Sequence, residues 1–242
     1  MNNNALNAEL SGMKPRDIIK SIFKNNDNVA LSFSGAEDVV LIDMACKLGF
    51  KPNIFTLDTG RLHPETYQYI QTVMDHYHIK IEILMPDPAA VQKLTLDKGL
   101  FSFYQDGHKE CCSIRKVTPL RNHLSNFSAW ITGQRRDQSK ETRDSLDVVE
   151  VDNAFKGNSK QLLKFNPLAH WTSEDVWTYI RSLEIPFNPL HNEGYVSIGC
   201  LPCTRPTLPH QDAREGRWWW EEANSKECGL HTTLENPSKP PS

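Results

Sequence analysis

Val29-Ala30-Leu31-Ser32-Phe33-Ser34-Gly35-Ala36-Glu37-Asp38 is the stretch whose reading decides the fold. Five residues suited to a buried strand end in a small polar turn, and a helix carrying Val39, Val40, Met44 and Leu48 follows at once, stopped by Gly49. A strand that runs straight into a helix through hydroxyls and backbone N–H groups makes an anion site at the helix N-terminus. One such turn is common. Here a second strand, Asn53-Ile54-Phe55-Thr56-Leu57, ends in the polar turn Asp58-Thr59-Gly60. Both turns belong on the carboxyl edge of one sheet, where open α/β folds bind ligands.

Working outward, Pro15 opens a helix with Ile18, Ile19, Ile22 and Phe23 on one stripe. A helix from Pro64 to His78 follows the second strand, and Lys80–Leu84 and Ala129–Thr132 supply a third and a fourth. Strands alternating with helices predict a parallel sheet covered on both faces. Beyond it, Asp147–Val151 and Gln161–Phe165 read as a hairpin, and Thr172 caps a helix ended near Leu183 and Pro186. The division expected is a main domain over 1–210, a short C-terminal segment over 211–234 and a disordered tail over 235–242, where Asn236-Pro237-Ser238-Lys239-Pro240-Pro241-Ser242 has almost nothing to bury.

The 242 residues carry a net charge of −3 and 38% hydrophobic residues. That balance offers no global positive field for a long polyanion, so nucleic acid is excluded as a first reading. No run approaches the roughly eighteen apolar residues of a membrane span, and the start lacks the pattern of an export signal, so a cytoplasmic protein is expected. Local clusters of Arg and Lys (Arg115-Lys116, Arg135-Arg136, Arg143, Arg205, Arg214 and Arg217) read most simply as solvated faces.

Six cysteines in a chain with no export signal suit reduced thiols or metal ligands better than disulfides. Cys46 sits in an apolar helical run and is given no role. Cys200-Leu201-Pro202-Cys203 has the spacing of a half-site for zinc or an iron–sulfur cluster. Cys111-Cys112 is the unusual half, because neighbouring side chains on a helix diverge by about 100°. Two such thiols close on one zinc only with strain, whereas a cubane cluster offers each its own corner. The geometry leans toward a four-iron, four-sulfur (4Fe-4S) cluster and leaves zinc open.

Taken together, the loop Ser32–Asp38, the turn Leu57–Gly60, Lys109–Leu120 around Cys111-Cys112, Thr132–Ser139, Gly199–Thr204 and Glu227-Cys228-Gly229-Leu230-His231 resemble the assimilatory, thioredoxin-dependent adenylyl-sulfate reductases of the PP-loop sulfonucleotide reductase family. The resemblance runs in order from Ser32 to His231. It implies a PP-loop α/β domain, the adenine nucleotide alpha hydrolase-like fold, with a flexible C-terminal segment. It also implies one 4Fe-4S cluster on Cys111, Cys112, Cys200 and Cys203. Cys228 becomes the nucleophile, assisted by Lys116 and His231. Substrate binding falls to Ser32, Ser34, Gly35, Glu37, Leu57, Thr59, Lys116, Arg143, Arg214 and Arg217. Adenosine 5'-phosphosulfate is the implied substrate, thioredoxin the implied electron donor, and a homo-oligomer is implied by the resemblance alone. Ala36 and Val39 replace the glycine and serine of the ATP-cleaving loop, which argues against pyrophosphatase chemistry. The competing readings are a reductase of the 3'-phosphorylated nucleotide (PAPS) or of both nucleotides, a PP-loop iron–sulfur tRNA sulfurtransferase, and a redox sensor without catalysis.

Overall fold

The computed structural model describes residues 3–139, 143–157, 161–208, 211 and 214–221. In chain order its elements are α1 (Asn3–Ser11), α2 (Pro15–Asn25), β1 (Val29–Ser32), α3 (Ala36–Lys47), β2 (Asn53–Leu57), α4 (Pro64–Tyr77), β3 (Ile81–Leu84), α5 (Pro88–Lys98), α6 (Lys109–Cys112), α7 (Thr118–Leu124), β4 (Ala129–Ile131), β5 (Val149–Val151), β6 (Leu163–Phe165) and α8 (Ser173–Ser182). The six strands form one sheet in the order β3-β2-β1-β4-β6-β5. All neighbours are parallel except the edge pair β5 and β6, the expected hairpin.

Alternation of side chains along the central strands builds the two faces. Val29 and Leu31, Ile54, and Ala129 and Ile131 enter one core with Ile18, Ile19 and Ile22 of α2, most of α3, and Val176 and Ile180 of α8. Ala30, Phe55 and Trp130 enter the other with Leu120 and Leu124 of α7. Helix α3 is buried on every side from Val39 to Ala45, which its nearly continuous apolar sequence requires. Its one buried charge there, Asp43, accepts from Tyr77 Oη at 3.1 Å and Tyr179 Oη at 2.8 Å and pairs with Lys47.

Two features were not anticipated. Helix α1 packs Leu10 into the first core, and its Asn7 Oδ1 accepts from the N–H of Val149 on edge strand β5 at 3.2 Å. Between α6 and α7 the chain winds as a π-helix over Ser113–Val117, so Lys116 is not placed on a regular α-turn beyond Cys112. Such wide turns occur at functional sites.

The strand order reverses between β1 and β4, so their carboxyl ends open a crevice. The loop Ser34-Gly35 leaves β1 on one side of it, and Thr132-Gly133-Gln134 leaves β4 on the other. Among the described residues no helix is long and apolar enough to cross a membrane.

Candidate active site

A cleft of about 320 Å³ occupies this switch point, and Ser32, Ser34, Gly35, Glu37, Leu57, Thr59, Lys116, Arg143, Arg214 and Arg217 all line it. Its size suits a nucleotide-sized ligand. Phe55, Leu57, Leu120 and Trp130 make an apolar stretch of wall. Lys116, Arg143, Arg214 and Arg217 make a cationic one. The sequence elements that looked like separate turns are thus walls of one space.

Asp38 organises the loop. Its Oδ2 accepts from Ser34 N at 2.8 Å, Ser34 Oγ at 2.8 Å and Gly35 N at 3.1 Å, while Oδ1 accepts from Gly133 N at 3.0 Å. Burial, then the neighbouring Glu37 charge, push the Asp38 pKa up to about 6 against the pull of these donors. Glu37 points its carboxylate at Arg135, whose Nη2 lies 2.8 Å from Oε1, and at Gln138 Nε2 at 3.0 Å. Arg135 is therefore a buried structural cation and not part of a solvated face. Arg115, Arg143 and Arg217 are buried too; of the basic clusters, Arg205 matches the solvated reading.

Beside the cleft lies a second, smaller pocket lined by Cys111, Cys112, Cys200, Cys203, Arg61, Phe103, His108, Arg115, Lys116 and Trp218. Two half-sites far apart in sequence meet there. The turn after β2 ties them to the sheet: Thr59 Oγ1 is 3.2 Å from Cys200 Sγ, Leu201 N donates to Arg61 O at 2.8 Å, and Arg115 Nη1 donates to Thr59 O at 2.6 Å. Residues 214–221 close the pocket. Trp218 N donates to Cys203 O at 3.1 Å, and Glu221 receives His108 through N at 2.8 Å and contacts its Nδ1 at 2.7 Å.

The chemistry of this pocket fits an iron–sulfur cluster. All four thiols line the pocket, and among the described residues no three His, Cys, Asp or Glu side chains gather as a single-ion site. Arg61, Arg115 and Lys116 supply positive charge for an anionic thiolate-bound group. Trp218 Nε1 and Arg115 Nε are buried donors with no acceptor among the described residues, which sulfide can satisfy. Burial, then the adjacent Cys200, push the Cys203 thiol up to about 12, and burial raises Cys111 as well. Such thiols lose their protons to a metal, not to bulk water at neutral pH.

The phosphoadenosine phosphosulfate reductase domain model matches residues 28–206. An adenosine 5'-phosphosulfate reductase of Pseudomonas aeruginosa is 59% identical over 94% of this chain and 85% of its own length. The chain belongs to the adenosine 5'-phosphosulfate reductases of the sulfonucleotide reductase family. A probable chloroplastic 5'-adenylylsulfate reductase of Oryza sativa is 54% identical over 94% of this reductase, which spans 49% of that longer protein. Among solved structures, phosphoadenylyl-sulfate reductase of Candida auris superposes with a TM-score of 0.71 at 25% identity, covering 84% of this chain and 95% of that one. An ATP complex of Candida glabrata FMN adenylyltransferase shares the fold at a TM-score of 0.57 and 16% identity, over 85% of this chain and 65% of that one.

Cys228 and His231 lie outside the described residues, as do the expected tail and most of the C-terminal segment. Sequence reasoning passed over the roles of Asp38, Arg115, Arg135 and Trp218. Arg135 carried a signal in its place directly after the fourth strand's turn. Trp218 carried none, since nothing in Trp218-Trp219-Trp220 tells which indole is buried.

Proposed function

We propose that this reductase converts adenosine 5'-phosphosulfate to sulfite and AMP through an S-sulfocysteine on Cys228, resolved by thioredoxin. The observation that carries the reading is the meeting of an anion-binding loop, four cations and a four-thiol pocket at one switch point. In this reading the apolar wall takes the adenine and the loop Ser34-Gly35 takes the phosphate at the N-terminus of α3. Lys116, Arg143, Arg214 and Arg217 hold the phosphosulfate, and they offset the charge that builds up as an anionic nucleophile approaches it.

This reading puts the nucleophile on a thiol outside the pocket. Each cysteine among the described residues is buried or half-buried, and burial raises Cys46, Cys111 and Cys203. Cys228 is the cysteine that remains. Its thiolate sulfur forms a bond to the sulfonate sulfur; the bridging S–O bond breaks, and AMP leaves with that electron pair. A thiolate of an external dithiol then attacks Cys228 Sγ, and sulfite departs with the electrons of the S–S bond. The second thiol of the donor closes its disulfide and frees Cys228. The two electrons that take sulfur to sulfite thus come from the dithiol, and His231 assists proton handling at Cys228. A 4Fe-4S cluster on Cys111, Cys112, Cys200 and Cys203 supplies, when bound, a fixed charge beside the cleft.

Mixing the protein with radiolabelled adenylyl sulfate and no reductant tests the reading. One sulfonate should appear on Cys228 by peptide mass spectrometry, with sulfite released on adding reduced thioredoxin. Product formation with Cys228 unmodified would end it. The same assay with PAPS reads the specificity.

A further inference from the structure

Trp218 stands between the two pockets and lines both. It is 1% exposed, and its φ of 41° is a left-handed backbone that a bulky residue adopts only when its surroundings hold it there. Around its ring gather three cations of the cleft: Arg217 at 4.7 Å from the centroid, Arg214 at 5.8 Å and Lys116 at 6.0 Å. The His108 ring stacks on it at 4.0 Å and 21°. Like charges crowded together repel. An indole face attracts cations through its quadrupole and gains strength as water is removed.

We propose that Trp218 is a positioning residue whose indole face gathers Lys116, Arg214 and Arg217 into one anion-binding surface before substrate arrives. This deepens the proposed function, since it rests on those cations taking the phosphosulfate. The backbone supports the assignment. Trp218 N is tied to Cys203 O, and the preceding residue forms a β-bridge with Thr204, so the ring is set by the chain that carries one half of the thiol pocket. Among the described residues Arg217 Nη1 makes long contacts, to Ser197 Oγ at 3.3 Å and Ile198 O at 3.5 Å, and its buried Nε has no hydrogen-bond partner. Of the three cations, Arg217 lies nearest the indole centroid.

The test replaces Trp218 site-specifically with tryptophans carrying increasing numbers of ring fluorines, which weaken the face while keeping the shape and the N–H. In a Cys228→Ser background, the ratio of adenosine to adenylyl-sulfate dissociation constants isolates the anion's share of binding. The ratio should fall in steps with fluorination, about tenfold across the series, with iron and sulfide content constant. Trp218→Phe should keep most of the ratio and Trp218→Leu should lose it. A flat fluorine series overturns the proposal, and so does an equal loss in Phe and Leu. If the wild type forms no S-sulfocysteine, the reductase reading fails separately, and the AMP-to-adenosine ratio still reports on Trp218.

Discussion

Asp38 Oδ1 accepts the N–H of Gly133 at 3.0 Å, joining the turn after β1 to the turn after β4 across 95 residues of chain. These two turns are the lips of the switch-point crevice, and one carboxylate holds both. The contact is close enough that a Cβ on Gly133 would sit 2.6 Å from Asp38 Oδ1 and from Glu37 Cβ. Loop shape and crevice width are therefore set by the same side chain.

Asp38 should make stability depend on pH in the sense opposite to most carboxylates. Its folded pKa, about 6, lies above the ordinary 3.8. The stabilising contribution is therefore fully present below about pH 4 and is lost as pH rises through 6. At full strength the swing is on the order of 3 kcal/mol. Denaturant melts of wild type should lose stability from pH 5 to 7.5 relative to Asp38→Asn, which does not titrate. Asp38→Asn should also weaken AMP binding at pH 7.5, because an amide cannot accept all four donors. Parallel pH profiles for the two proteins would remove Asp38 from this role.

Gly199 makes room for Arg217. A Cβ there would lie 2.3 Å from Arg217 Nη2 and 2.5 Å from Cζ. The guanidinium is the end of a long side chain and will move, so Gly199→Ala should leave the fold intact while displacing the cation from the cleft. We expect adenylyl-sulfate affinity to fall by about tenfold, or roughly 1.4 kcal/mol, with adenosine affinity unchanged. Equal losses for both ligands would mean that the fold, not the cation, was disturbed.

The sheet was legible because Val29–Phe33, Asn53–Leu57 and Ala129–Thr132 carry strand-like apolar runs that end in polar turns, and backbone periodicity is a local property. The four thiols could be named as two pairs because each pair is short and contiguous, whereas the ten cleft residues were named from the family resemblance, Arg143, Arg214 and Arg217 standing outside its contiguous motifs. What stayed hidden was set by contacts between distant segments. Arg135 looks like surface charge until Glu37, 98 residues away, is seen to meet it. Thr59 was read as a nucleotide contact, and its hydroxyl also meets Cys200. The π-turn at Ser113–Val117 has no sequence pattern of its own. Helix α5 was missed because Ala, Leu, Lys and Asp are spread around it, and only Leu94 is buried.

Asp43 separates stability from chemistry. It lies in the α3, α4 and α8 packing, away from the cleft wall, with both tyrosine hydroxyls donating to it. Burial and this carboxylate push Tyr77 and Tyr179 up, so both stay protonated donors at any physiological pH. Asp43→Asn should cost about 1–3 kcal/mol, the range for a buried hydrogen-bond partner lost. Its catalytic rate per folded molecule should match wild type at 20 °C. A specific loss of kcat without a drop in melting temperature would contradict that separation.

Cys200 offers the sharpest chemical test, because it lines the cleft and the thiol pocket at once and its Sγ meets Thr59 Oγ1 at 3.2 Å. Serine in its place is a poorer ligand for iron. Cys200→Ser should therefore emerge with little iron and acid-labile sulfide and without the visible absorption of a cluster. It should also melt lower, since binding energy that is folding energy is gone. Cys46→Ser is the matched control: Cys46 is half-buried against the main core and does not line the thiol pocket, so iron content should be unchanged. Full iron in Cys200→Ser, or loss in Cys46→Ser, would mean the metal is held elsewhere. Zinc without sulfide in the wild type would retain the four ligands and replace the cluster, because thiols alone do not choose between the two metals.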